Sequence, residues 1–210
     1  MEQLTLFAYK KEVRIMKSYG SSRDRLKYWL VWAMVGAIAF LIMQIEIPII
    51  PGIDYLKFDI SDVVVAIATM IFGIFGGTMV ALFKILLKAA LSGFNPLSVL
   101  GDVASFIATL AYVYPFYYIA KKGKLNLSAQ IGGLIVGTLC LTIVMSIANF
   151  FLMPLYFHIV GFNMNQTILK AIVAGVVPFN LLKGIINGIL IVILMKTVYP
   201  TLSHFVKTRF

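Results

Sequence analysis

PFNLLKGIINGILIVILMKTVY, residues 178–199, decides how the rest of the chain is read. It opens on Pro178, Asn180 and Lys183, continues through mostly apolar positions, and closes near Lys196 and Tyr199. Its length suits a membrane-spanning helix, whose hydrocarbon path takes roughly 20 residues. At about 100° per residue, Asn180, Lys183, Gly184, Asn187 and Gly188 share one face. Leu190, Val192, Ile193 and Leu194 fill the far half. A polar stripe is costly against lipid, so it must face a cavity or other helices. A lysine set among carboxamides suits a ligand surface; close helix packing through Asn and Gly is the equal alternative.

The rest of the composition agrees with a membrane setting. Of 210 residues, 61% are hydrophobic and only 12% charged, with a mean hydropathy of +0.97. A soluble domain is about 45–50% apolar and about 25% charged. The net charge of +10 does not indicate a nucleic-acid partner, because most of the excess sits at the chain ends and in one short loop. The first apolar run follows a long basic segment and exceeds a signal-peptide core, so no cleavable signal peptide is expected. Cys140 stands alone in an apolar run and reads as a packing residue.

The spacing predicts an all-α integral membrane protein with about six transmembrane helices. Residues 1–27 form a basic segment expected on the cytoplasmic leaflet. Spans are expected over 28–47, 63–75, 78–91, 99–120, 128–157 and, after a short approach at 168–177, over 178–199. Gly73, Gly76 and Gly77 should end or bend the second span, and Pro154 should end or kink the fifth. The membrane domain covers 28–203, leaving 204–210 as a tail. With Lys121, Lys122 and Lys124 on the same side as both termini, the positive-inside rule makes the termini cytoplasmic. The opposite, outward face then holds Asp54, Asp59, Asp62, Asn95 and Asp102.

Absent chemistry narrows the class. No GxxxxGK[ST] is present, so nothing cradles ATP phosphates. His158 and His204 lie far apart, and no metal spacing exists. Asp62 and Asp102 read best as partners of Lys84 or Lys88. The residues describe a cavity, no catalytic group and no cofactor site.

YLKFDISD, ALFKILLKA, GDVASFIAT, ANFFLMPLYF and PFNLLKGIINGIL, taken in order, resemble the substrate-capture (S) components of energy-coupling factor (ECF) transporters, and among them the riboflavin-binding branch. The resemblance runs from about Tyr28 to Ser203 and leaves the first segment uncovered. It implies capture of riboflavin, as bound substrate and not as cofactor, at the extracellular face of a bacterial cell membrane. It also implies partners: a membrane coupling subunit driven by two ATPase subunits. Docking on that subunit through an Ala-x-x-x-Ala pattern matches Ala33 and Ala37 on the first helix. Small side chains there allow close backbone approach in lipid; packing within the chain is the plain alternative. For the ligand, the matching positions are Asn180, Lys183, Asn149, Leu56 and Phe58. Asn95, with Phe94, joins them on topology alone.

Three functions are weighed: riboflavin uptake, uptake of another vitamin such as thiamine or folate by the same type of component, and a membrane enzyme using Asp62 and Asp102 with a metal. Lysines near those carboxylates disfavour the last. The loop 48–62, with two prolines, Gly52 and the apolar Tyr55, Leu56 and Phe58, is expected to act as a lid. Lys183 is expected to be held by a ligand rather than by Asp59 or Asp62.

Overall fold

The computed structural model describes residues 22–48, 57–160 and 168–209. It is a helical bundle: α1 (Ser22–Met43), α2 (Ser61–Leu91), α3 (Pro96–Lys122), α4 (Leu127–Val160), α5 (Ile168–Ala171), a π-helical turn (Ile172–Val176), α6 (Val177–Thr197) and α7 (Tyr199–Arg209). Between α1 and α2, Ile47–Pro48 (β1) pairs antiparallel with Lys57–Phe58 (β2). Five stretches among the described residues are long and apolar enough to cross a membrane.

α1 shows how these helices sort their faces. Trp32, Gly36, Ala39, Phe40 and Met43 recur at helical spacing and are buried, while Leu30, Met34, Ile38 and Leu41 are exposed. Apolar residues therefore cover both faces, as lipid outside and protein inside require. Gly36 lets α1 close on α2, since a Cβ there would stand 2.6 Å from the Phe83 Cβ.

The expected spans 63–75 and 78–91 are one element, α2, which folds back on itself. Gly73 takes φ 81° and ψ 178°, a region open only to glycine. A straight helix would hold Asp62 and Lys84 about 33 Å apart, yet Lys84 Nζ lies 3.1 Å from Asp62 Oδ1. The break is thus at Gly73 alone. Gly76 and Gly77 stay helical and are buried, and a Cβ on Gly77 would collide with the Thr69 side chain of the facing arm. Counting both arms, the described residues make six helical passes.

Other boundaries differ from expectation for identifiable reasons. Pro154 neither ends nor delimits α4, which continues to Val160 and takes His158 into its last turn. An apolar segment in lipid has helix as its only way of satisfying its backbone, so one lost hydrogen bond is tolerated. The approach 168–177 and the last span are continuous through the π turn, where the Val177 N–H donates to the Ile172 carbonyl. That wider turn sits just before Pro178, which has no N–H to donate. The tail is part of a further helix, α7, with Pro200 in its first turn, where a missing N–H costs nothing.

Glycines set the helix crossings. Cβ atoms at Gly133 and Gly137 would lie 3.0 Å and 2.7 Å from the carbonyl oxygens of Phe116 and Tyr112, so α4 rests directly on the α3 backbone. Gly184 meets Thr138 of α4, and Tyr112 Oη donates to the Gly184 carbonyl at 2.8 Å.

Candidate ligand cavity

The last turns of α1, the return arm of α2 and α4, and the first turns of α2, α3 and α6, meet at one end of the bundle. They enclose a cavity of about 580 Å³, within the roughly 300–1,000 Å³ of small-molecule sites. Its wall is apolar where Met43, Met145, Met153, Phe157 and Phe179 stand. Polar groups enter from several elements.

Asn149, Asn180 and Lys183 line the same cavity. Each carboxamide gives one N–H to its own helix: Asn149 Nδ2 donates to the Met145 carbonyl and Asn180 Nδ2 to the Val176 carbonyl, both at 2.8 Å. Those bonds fix the rotamers and leave an amide oxygen and a second N–H for other partners. Asn187, deeper on the same stripe, is 1% exposed and does not line the cavity.

Lys183 is held otherwise than expected. Its Nζ lies 3.2 Å from Asp59 Oδ2 and 3.0 Å from Asp62 Oδ2. Carboxylates of the chain, not a ligand alone, thus balance its charge. A buried ammonium requires such compensation whether or not the cavity is filled. Asp59 also accepts from Ser61, from its backbone N–H at 2.9 Å and from its hydroxyl. Asp62 Oδ1 meets Lys84 at 3.1 Å and Thr109 Oγ1 at 2.6 Å. At the other wall, Lys88 bridges Glu46 at 2.8 Å and Asp102 at 3.6 Å. The lysine–aspartate pairing read from the sequence is therefore the one present. Asp62 and Asp102 each face an ammonium group, which supplies the positive charge beside them.

Two other positions stand elsewhere. Phe58, in β2, is buried in the core and is not part of the cavity wall. Asn95 is an exposed N-cap: its Oδ1 accepts from the Leu97 N–H at 3.0 Å, the task for which a residue ahead of Pro96 is well suited. Phe94, beside it, is 64% exposed. Leu56 and most of the expected lid fall outside the described residues. Ala33 and Ala37 are half-buried on α1 and border its exposed strip of Leu30, Met34 and Leu41.

Sequence reading missed Glu46, Lys88, Ser105, Tyr156 and Phe179. Tyr156 follows Asn149 by two turns, and Phe179 adjoins Asn180, so helical spacing from the recognised residues points to both. Glu46 had only its position at a helix end to mark it, and Lys88 was read as a partner of Asp62 or Asp102 and not as part of the cavity wall.

A helical membrane bundle with an apolar cavity and a few convergent polar groups is the design of a small-molecule carrier. The comparisons with known proteins agree. A model of the family described as "ECF transporter, substrate-specific component" matches residues 27–195, and the chain belongs to that family. It is 38% identical over 179 residues to the riboflavin transporter RibU of Staphylococcus aureus, covering 83% of this chain and 89% of that one. It is 35% identical over 185 residues to the riboflavin transporter FmnP of Bacillus subtilis, covering 86% and 96%. With RibU of Streptococcus thermophilus the identity is 33% over 180 residues, 84% of each chain. A solved S component of a bacterial ECF transporter superposes with a TM-score of 0.69 at 36% identity, covering 87% of this chain and 99% of that one. The protein is a multi-pass membrane transport component and not an enzyme.

Proposed function

We propose that the chain captures riboflavin in the cavity at one end of the bundle and hands it across the cell membrane as the S component of an ATP-driven ECF transporter. The observation that carries this reading is the convergence of Asn149, Asn180 and Lys183 on one apolar cavity. Riboflavin is neutral, with a flat ring whose uracil-like edge both donates and accepts, and a hydroxylated tail. Carboxamides and an ammonium match the edge, and aromatic and methionine side chains match the ring. The charged Glu46 and Lys88 on the facing wall suit the hydroxyl-bearing tail.

The cavity end is the outward one in this reading. The opposite end carries Arg25, Lys27, Lys121, Lys122, Lys124 and Lys196, a basic excess that supports a cytoplasmic position for it and for both termini. α1 meets the coupling subunit along Ala33 and Ala37, and the two ATPase subunits act through that subunit. Half-exposed alanines beside an apolar strip support such a contact.

The test is direct. Protein purified in detergent should take up riboflavin stoichiometrically, quench its fluorescence and show the flavin absorption bands. Titrations giving no saturable binding, with thiamine or folate binding instead, would overturn the assignment of substrate.

A further inference from the structure

Lys84 lies on the return arm of α2, behind the cavity wall, and is fully buried. An ammonium has three N–H donors and no acceptor. All three of Lys84 are used: Ser61 Oγ, Asp62 Oδ1 and Thr109 Oγ1 each lie 3.1 Å from its Nζ. Lys183 spends two, on Asp59 and Asp62, and it lines the cavity. One N–H of Lys183 is therefore left for the cavity, whereas Lys84 has none to offer.

Asp62 joins the two lysines. Its Oδ1 faces Lys84 and Thr109, and its Oδ2 faces Lys183. Lys84 and Thr109 thus fix the carboxylate plane from behind and determine where Oδ2 points. Charge balance works in the same direction. Asp59 and Asp62 around Lys183 alone would leave one surplus negative charge buried, and Lys84 makes the group neutral. A neutral ligand gains from a donor held in a fixed direction more than from surplus charge.

We propose that Lys84 is a positioning residue for the ligand site: through Asp62 it holds the Lys183 ammonium so that one N–H points into the cavity. The ligand used to test this comes from the functional reading above.

Lys84→Met alone leaves Asp62 short of a counter-ion and can unfold the protein. The decisive variant is Asp62→Asn/Lys84→Met, which removes one charge of each sign and keeps the Asp59–Lys183 pair. In the full-length protein it should stay helical and monodisperse yet bind riboflavin about tenfold more weakly or worse, as expected when a charged hydrogen bond is misdirected. Adding Lys183→Met to it should then cost much less than Lys183→Met costs in the wild type, because the two act through one group. Wild-type affinity in the double variant, or full additivity with Lys183→Met, overturns the proposal. Thr109→Val, nearly isosteric and uncharged, provides a test that does not depend on the double variant folding. It should weaken riboflavin binding several-fold, and unchanged affinity overturns the proposal. If the wild type itself takes up no riboflavin, the functional reading fails separately. Positioning is then read without ligand, from acetylation of Lys183 by a water-soluble succinimidyl ester followed by mass spectrometry. The double variant, lacking one of the two carboxylates, should label several-fold faster; equal rates overturn the proposal.

Discussion

Two residues carry more of this molecule than their neighbours, and they do so for opposite reasons. Gly73 is irreplaceable for its backbone. At φ 81° and ψ 178°, a side chain is strained whatever space surrounds it. Gly73→Ala should lower stability by about 1–3 kcal/mol, read as a fall in the thermal midpoint in detergent. Gly101→Ala is the control: it lies inside α3 with nothing near its missing Cβ. There alanine should be neutral or stabilise by about 0.5–1 kcal/mol, because it restricts the unfolded chain. Equal losses at both sites would mean that the turn tolerates L-residues. Lys183 is irreplaceable for its charge. Lys183→Met leaves Asp59 and Asp62 facing each other without it, and breaking such a buried pairing costs about 3–5 kcal/mol. The variant should therefore melt lower even without ligand. A ligand-free midpoint equal to wild type would show that the ion pairs contribute nothing to the fold.

Among the elements, α4 and α1 make contrasting use of small residues. Gly133 and Gly137 bring α4 onto the carbonyl oxygens of α3, so their role is internal. Gly137→Leu places bulk against the Tyr112 backbone, which cannot move as a side chain can. The cost should be about 1–3 kcal/mol or more, seen as lower thermal stability and loss of monodispersity. On α1, Ala33 and Ala37 border the exposed strip, so bulk there should leave the fold intact. Replacing both by leucine should abolish riboflavin uptake by cells while the isolated protein binds riboflavin as before. Lost binding would move the stripe to internal packing, and normal uptake would remove it from docking.

At the scale of the whole molecule, the cavity and the cluster of Lys121, Lys122 and Lys124 lie at opposite ends of the bundle. This polarity makes the orientation measurable. With Cys140 replaced by serine, single cysteines at Lys122 and at Phe94 should react differently with a membrane-impermeant maleimide added to intact cells. Phe94, 64% exposed beside the cavity end, should label, and Lys122 should label only after lysis. The reverse pattern would invert the assignment of faces.

Much of this was legible in the one-dimensional chain. Apolar length identified the spans, since lipid allows an apolar segment little besides helix. The spacing of Asn180, Lys183 and Gly184 gave the inward stripe of α6, because helical periodicity is a local property. Asn180 lies on that stripe, whereas Asn149 came only from the resemblance to the ECF substrate-capture components. What the sequence could not determine depended on contacts between distant segments. Gly73 reads only as a bend until Lys84 is seen to return to Asp62. Lys183 reads as balanced by a ligand until two carboxylates, Asp59 just ahead of α2 and Asp62 in its first turn, are found beside it. Asn95 reads as a site residue until its oxygen is found capping α3. In each case the side chain's identity is local, but the partner that satisfies its charge or hydrogen bonds is chosen by the packing of helices, and that choice exists only in the tertiary structure.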